Sequence, residues 1–382
     1  MRGRSRARRS GPPMMLWLVT WLCQPLLWLA QRREPAAPRR ILLVQTAKIG
    51  DMICTLPVID ALARRFPDAA LTVMHHPVNR ALLRHDPRIA ERWEADSSAW
   101  CGLGAKLRLV RRLRAARYDW IVLGSPNLPW LLMPLWAGIP RRIAVTANHG
   151  RSVQRAEPLL TDAQRHQAER LIVDEWAELL ARLDVPVARD KPLYAAPDAD
   201  AAVTALGLPD GALIGIGVSA ANKLKELGED KVADVIAALL ARSDASVLLV
   251  GGPDDRPLAA RIGERLASPR VIDTTGRLAL DQLPVLLARL AVYISVDSGI
   301  IYLADALGVP VVSVVGPTDP REQRPLHPQS RFIIEQLPCY PCSTVFHTAS
   351  TCRVGTRACI GNVTATRIAD EAIGLLQQNQ TP

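Results

Sequence analysis

The chain has 382 residues, of which 49% are hydrophobic and 22% charged, which is the composition of a globular protein with a sizeable core. The formal net charge is +10, but residues 1–40 contain nine arginines and one glutamate, so the remaining chain is nearly neutral. A nucleic-acid-binding domain is therefore not indicated. The seven cysteines are an odd number and three are scattered singly, which argues against a secreted disulfide scaffold and fits a reducing compartment. This length predicts two domains, or three at most.

The segment 12–30 is the membrane candidate of the sequence. It has about the minimum length of a bilayer span, Pro25 interrupts it, and its tryptophans share one helical face. Tryptophan prefers the headgroup region, so the segment is compatible both with a helix that spans the bilayer and with one that lies in the interface. A buried segment or a mispredicted leader is the alternative. We expect residues 1–39 to comprise a basic tail, this membrane-associating helix and the short linker 34–38.

A first α/β series begins with the strand ILLVQ at 41–45, a turn containing AKIGD, and a helical pattern. The turn is not GxGxxG, so the fingerprint of an NAD-binding unit is absent where it should occur. Strands and helices then alternate, including a basic helix at 106–117. The Pro- and Asp-rich segment 185–200 is typical of an interdomain linker. We therefore predict a first Rossmann-like domain over residues 40–190.

A second α/β series follows, and it predicts another Rossmann-like domain over residues 191–363. Two such halves would enclose a cleft between their facing carboxyl edges. The sequence GIGVSA at 215–220 matches G-x-G-x-x-A, but its glycines lie inside an apparent strand, which disfavours a dinucleotide site. Residues 364–382 contain a last helix, which we expect to pack back on the first domain.

The stretch 293–320 reads as strand, polar turn, short helix and second apolar strand. The turn Asp297-Ser298-Gly299 supplies capping oxygens and a conformationally free residue at the helix start. A helix N-terminus at the carboxyl edge of a parallel sheet is a common phosphate site. From the residues alone, the stretch is equally compatible with an ordinary βαβ unit.

Asp51 and two lysines are the candidate reactive side chains. Asp51 lies after the first strand at a predicted helix N-terminus, where it could be a structural capping residue, worth about 1 kcal/mol, or a general base at the cleft. Lys223 and Lys225 follow the strand that ends at Ser219. Either lysine could be a counter-charge for a diphosphate or a solvated loop residue.

The sequence resembles glycosyltransferase family 9, the ADP-heptose:lipopolysaccharide heptosyltransferases. The resemblance covers about residues 40–375 and rests on IGDMICTLP, on HQAER at 166–170, on VGGPDD at 250–255, and on the SVDSG and LADALGVPVVSVVGPTDP blocks. It implies the α/β GT-B fold, in which two Rossmann-like, doubly wound domains face a central cleft. It also implies that the second domain holds a nucleotide-sugar donor and that the anomeric carbon is inverted.

The resemblance assigns the catalytic base to Asp51, with Lys48 and Gly50 in the same loop. It assigns the phosphate-binding lysine to Lys223, in S-x-x-x-K spacing from Ser219. The remaining residues expected at the donor diphosphate or nucleotide are Asp297, Ser298, Gly299, Tyr302 and Thr318. No metal is required if a lysine and a helix N-terminus stabilise the leaving group.

Two positions depart from the family pattern. Tyr302 stands where the family usually has histidine, and Lys225 stands where an aromatic residue is common. Tyrosine can donate a hydrogen bond but carries no positive charge near neutral pH. These departures leave a second hypothesis open, namely a membrane-tethered nucleotide-sugar-binding or assembly protein with an altered donor site.

Four cysteines lie close together in the C-terminal part, at Cys339, Cys342, Cys352 and Cys359. They are candidates for a structural metal site, for free thiols or for disulfides, and only the first pair has tight ligand spacing.

The resulting prediction is an inverting glycosyltransferase that moves heptose or a related sugar from an ADP-linked donor to a lipopolysaccharide-core or other lipid-linked acceptor. We expect it at the cytoplasmic face of the inner membrane of a Gram-negative-type bacterium, with no nucleic-acid partner.

Overall fold

The computed structural model describes residues 13–29, 31–147 and 151–380. Its first sheet has six parallel strands in the order β3-β2-β1-β4-β5-β6. These strands are β1 (Arg40–Gln45), β2 (Ala70–His75), β3 (Glu91–Glu94), β4 (Trp120–Leu123), β5 (Arg141–Thr146) and β6 (Asp162–Arg165). The central strands β1 and β4 are apolar and buried, as expected of a parallel sheet covered on both faces.

Helices cover both faces of this sheet. They are α2 (Ile49–Arg65), α3 (Arg80–Arg84), α4 (Gly102–Ala116), α5 (Leu128–Trp136), α6 (Arg151–Ala156) and α7 (Ile172–Ala181). The apolar residues of α2 and α7 belong to one core cluster, and those of α4, α5 and α6 belong to another on the opposite face. Right-handed crossovers explain this division, because the chain leaves β1 in one direction along the sheet and later continues in the other.

The second sheet also has six parallel strands, in the order β12-β11-β10-β7-β8-β9. These strands are β7 (Leu213–Gly217), β8 (Ser246–Val250), β9 (Val271–Asp273), β10 (Val292–Val296), β11 (Val311–Val314) and β12 (Arg331–Ile333). The helices of this part are α8 (Ala199–Thr204), α9 (Glu229–Arg242), α10 (Arg256–Leu266), α11 (Leu283–Leu287), α12 (Gly299–Ala306), α13 (Ala358–Gly361) and α14 (Ala365–Gln380). Two parallel sheets flanked by helices confirm the predicted α/β class.

The C-terminal helix α14 packs on the second sheet. It lies against α9, β10 and β11, and its buried residues Ile368, Ala372 and Leu376 join the core cluster that contains Ile236 and Leu239. The expectation that this helix packs on the first domain is therefore wrong. Its apolar residues recur at helical spacing and match the apolar stripe of α9, so it completes the core of its own half.

The N-terminal helix α1 (Pro13–Leu29) lies against α5. The Trp136 indole donates a hydrogen bond to the Thr20 hydroxyl at 2.8 Å, and Leu27 is buried in the core cluster beneath. Across residues 13–29, 31–147 and 151–380, no helix has both the length and the hydropathy needed to cross a bilayer. The basic tail predicted before this helix lies outside the described residues.

Candidate active site

Two helix N-termini meet where the carboxyl edges of the two sheets approach each other. Helix α2 follows β1, helix α12 follows β10, and the two helices pack together. A Cβ atom built on Gly299 would lie 2.8 Å from the Cβ atom of Ile49 and 3.2 Å from the backbone nitrogen of Gly50. A side chain at position 299 would therefore collide with α2, whereas one at position 50 would meet the Tyr302 ring at 3.2 Å, so Gly299 is the glycine that this approach requires.

A cavity of about 200 Å³ opens beside this contact. Its lining combines residues of both halves with three carboxylates, Asp51, Asp297 and Asp319, and one partly buried ammonium group, Lys225. The other predicted residues that line it are Lys48, Gly50, Ser298, Gly299, Tyr302 and Thr318. The structure thus brings together most of the residues predicted from the sequence.

Asp51 lies in the first turn of α2 and is partly buried. Burial and the negative charge of Asp297 raise the pKa of Asp51 from 3.8 to about 6, against the opposing effects of the Gln323 side chain and of Lys225. A carboxylate with a raised pKa is a stronger proton acceptor than an ordinary aspartate. Asp51 can therefore act as a general base near neutral pH.

Asp297 is the centre of a closed polar network. Its Oδ2 atom accepts hydrogen bonds from Lys225 Nζ at 2.5 Å and Thr318 Oγ1 at 2.7 Å, and its Oδ1 atom accepts one from the Tyr302 hydroxyl at 2.6 Å. Burial raises the pKa of Asp297, but the Lys225 charge and these hydrogen bonds outweigh it, so the pKa lies below 3.8. Asp297 is thus an anion that orients three donor side chains around the cavity.

Tyr302, which stands where histidine was expected, contacts both halves of the site. Its hydroxyl group donates to Asp297, and its ring lies against Gly50, where an added Cβ atom would meet ring carbon Cδ2 at 3.2 Å. Burial and the Asp297 charge raise the pKa of Tyr302, so the hydroxyl keeps its proton. Tyr302 therefore connects the two halves as a neutral hydrogen-bond donor.

Two residues predicted for the donor site lie outside the cavity. The Lys223 side chain is 79% exposed and pairs with Glu226, and the Ser219 hydroxyl donates to Asp255 at 2.5 Å. Leu224 is buried, so the side chains on either side of it point in different directions and only Lys225 reaches the cavity. The placement expected for Lys223 is therefore met by Lys225 instead.

The lining also includes residues that the sequence did not indicate. Gln323 lies beside Asp51, and Thr344, Val345 and Thr348 come from an irregular loop. This loop is held by tertiary contacts, since the Val345 backbone N–H donates to the Glu322 carboxylate at 3.0 Å. Only the fold identifies these residues, because no local sequence pattern marks such a loop.

A second cavity of about 290 Å³ lies on the other side of Asp51. It is formed mainly by the carboxyl edge of the first sheet, with Gln45, Asn127 and Trp176, and it is closed by Phe346 from the second half. Asp51 lines both cavities. Asp51 is therefore positioned where the two cavities adjoin.

A buried histidine between two glutamates bridges the halves next to these cavities. His166 Nδ1 lies 2.6 Å from the Glu175 carboxylate of α7, and Nε2 lies 3.3 Å from the Glu322 carboxylate. The second contact is an ion pair without hydrogen-bond geometry. Burial lowers the pKa of His166, but the two carboxylates outweigh it and raise the pKa to about 9. A protonated His166 therefore holds the Glu322 segment against the first half.

The C-terminal cysteines are partly buried free thiols. In the described part of the chain, no group of three or more histidine, cysteine, aspartate or glutamate side chains could hold a metal ion. The structural metal considered from the sequence therefore has no support in the structure. The cysteines concerned are Cys339, Cys342, Cys352 and Cys359.

The sequence of this chain matches that of a known protein family. The model described as "Glycosyltransferase family 9 (heptosyltransferase)" matches residues 106–350, which is well over half of the chain. The chain belongs to glycosyltransferase family 9. It is a glycosyltransferase, as predicted.

Curated relatives of this glycosyltransferase are named as lipopolysaccharide heptosyltransferases. Lipopolysaccharide heptosyltransferase 3 of Escherichia coli K12 is 25% identical over 302 residues, covering 71% of this chain and 80% of the relative. Lipopolysaccharide heptosyltransferase 1 of Pseudomonas aeruginosa is 26% identical over 321 residues, covering 79% and 86%.

Solved structures support the same fold. The ADP-heptose lipopolysaccharide heptosyltransferase II of E. coli superposes with a TM-score of 0.68 at 23% identity, covering 90% of this chain and all of that chain. A family 9 glycosyltransferase of Veillonella parvula superposes with a TM-score of 0.69 at 20% identity, covering 89% and 98%. The glycosyltransferase thus has the predicted GT-B fold.

Proposed function

We propose that this glycosyltransferase transfers heptose, or a closely related sugar, from an ADP-linked donor to a lipopolysaccharide-core or other lipid-linked acceptor, with inversion at the anomeric carbon. The names of the relatives support the donor and acceptor classes. The position of Asp51 between two cavities, one beside Lys225 and the start of α12, is the observation that carries the proposal.

The donor diphosphate lies at the start of α12 in this proposal. The free backbone N–H groups after Ser298 and the positive end of the helix favour an anion there. Lys225 and Thr318, both oriented by Asp297, supply an ammonium and a hydroxyl donor. These groups stabilise the negative charge that develops on the leaving diphosphate, so the step needs no metal ion.

The acceptor hydroxyl enters from the second cavity and attacks the anomeric carbon. Asp51 takes the hydroxyl proton as the new carbon–oxygen bond forms. The bond between the anomeric carbon and the diphosphate oxygen breaks in the same step, and the nucleoside diphosphate leaves with the electron pair. Attack from the face opposite the leaving group inverts the configuration.

In this proposal each half of the protein binds one of the two substrates. Residues 40–190 form the acceptor domain with the base, and residues 191–363 form the nucleotide-sugar domain. A lipid-linked acceptor and a cytosolic nucleotide sugar meet at the cytoplasmic face of the inner membrane. Residues 12–30 associate with that membrane surface and reduce the search for the acceptor to two dimensions.

A donor panel tests the proposal. Calorimetry should show that ADP-heptose binds the full chain at least tenfold more tightly than GDP- or UDP-sugars, and ADP should be released when a lipopolysaccharide-core acceptor is added. Tighter binding of a GDP- or UDP-sugar would overturn the ADP assignment. Binding without turnover on any acceptor would instead support a nucleotide-sugar-binding or assembly protein.

A further inference from the structure

Exposed apolar side chains are concentrated on two helices. Of the ten large hydrophobic side chains that are exposed in the described part of the chain, eight belong to α1 and α4. On α4, Leu103 is 59% exposed and Leu107 is 50% exposed. The six on α1 are Leu18, Val19, Trp21, Leu22, Leu26 and Leu29. This distribution is uneven enough to indicate an interaction surface, since single exposed apolar residues are normally scattered.

Both helices lie on the same face of the first sheet, on either side of α5. Trp136 of α5 connects them, because its indole donates to Thr20 of α1 and its carbonyl oxygen accepts a hydrogen bond from Arg114 of α4 at 2.8 Å. The buried sides of the two helices join one core cluster, through Leu27 on α1 and Leu109 on α4. Their exposed sides therefore both face away from the sheet.

The charge of α4 indicates what this surface meets. The helix GLGAKLRLVRRLRAA contains no acidic residue. Arg108 and Arg111 are exposed, and neither forms an ion pair with any described residue. Arg112, by contrast, lies over the Trp93 ring, 3.5 Å from its centroid, and pairs with Glu91 at 3.8 Å. Apolar side chains beside unpaired arginines suit a surface that offers both an apolar layer and anionic headgroups.

We propose that α1 and α4 together form a docking surface for an anionic lipid bilayer. The apolar side chains of both helices enter the headgroup region, and Arg108 and Arg111 bind lipid phosphates. Helix α1 thus lies along the membrane while it stays packed on α5.

The position of α4 also determines where the active site lies relative to the bilayer. Helix α4 follows β3, so its first two turns, which contain Leu103 and Leu107, are near the carboxyl edge of the first sheet. Asp51 lies at that same edge. If the acceptor is lipid-linked, as the proposed function requires, docking through α4 brings the acceptor cavity close to the bilayer.

Vesicle flotation with the full chain tests the surface in the absence of donor and acceptor. We expect binding to vesicles that contain phosphatidylglycerol and at least tenfold weaker binding to pure phosphatidylcholine vesicles. The double variants L103E/L107E and R108E/R111E should each weaken binding at least tenfold. The control R277E/R289E makes the same charge change at exposed positions of the second half and should bind like the wild type. Circular dichroism should confirm that each variant is folded.

Four outcomes would overturn the inference. The wild type could fail to bind anionic vesicles, the two α4 variants could bind as well as the wild type, or the control could lose as much binding as they do. A wild-type oligomer that L103E/L107E converts to a monomer would assign the surface to a second copy of the chain. Turnover on a water-soluble, delipidated acceptor reports the proposed function separately and should be the same in all these variants.

Discussion

The buried pair of carboxylates around His166 makes the stability of the protein dependent on pH. The structure raises the pKa of His166 from 6.5 to about 9. At 1.36 kcal/mol for each pKa unit, this shift corresponds to roughly 3 kcal/mol of folding free energy. Because the folded-state pKa is the higher one, the contribution is fully present below pH 6.5. It is lost as the pH rises through about 9.

The assay is chemical denaturation of the wild type and of His166→Gln at intervals from pH 6 to pH 10. The excess free energy of unfolding of the wild type should fall by roughly 3 kcal/mol across this range. His327→Gln, which removes a histidine outside the network, should follow the wild type at every pH. An NMR titration should show an imidazole pKa near 9. The reasoning is refuted if wild type and His166→Gln change in parallel, or if the imidazole titrates below pH 7.

Three further predictions concern the site. The value of kcat/KM should fall about tenfold per pH unit below pH 6, because Asp51 must be ionised to accept a proton; a rate that is flat down to pH 5 would contradict this. Lys225→Ala should weaken donor binding by about 10- to 100-fold in calorimetry, whereas Lys223→Ala should change it less than twofold; equal effects would contradict the assignment. Gly299→Ala should lower the free energy of unfolding by about 1–3 kcal/mol, because its Cβ atom would collide with α2. Gly263→Ala, in an open helical position, should not, and equal losses would contradict the close approach.

The sequence predicts features that local patterns specify. Alternating apolar strands and amphipathic helices predict two α/β halves, and both halves are present. The turn 297–299 and Asp51 each follow a strand of a βαβ unit, where side chains reach the carboxyl edge of the sheet. The turn 297–299 and Asp51 lie in one cavity because the two domains face each other, as the fold implied by the family resemblance predicts.

Features that depend on tertiary packing were not predictable from local patterns. The choice between Lys223 and Lys225 depends on the burial of Leu224, which spacing does not reveal. The docking of α14 depends on whether its apolar stripe fits α9 or the first half, and both alternatives have the same sequence signature. Gln323 reaches Asp51 only because its loop crosses between the halves.

The proposal that Asp51 is the base of sugar transfer is tested most directly by single-turnover kinetics of Asp51→Asn with ADP-heptose and acceptor. General-base catalysis accounts for about 10²- to 10⁴-fold of a rate, so we predict a loss in that range. Donor affinity should stay within about threefold of the wild type, since Lys225 and the α12 N-terminus are unchanged. Transfer by Asp51→Asn at a rate within a factor of ten of the wild type would contradict the account.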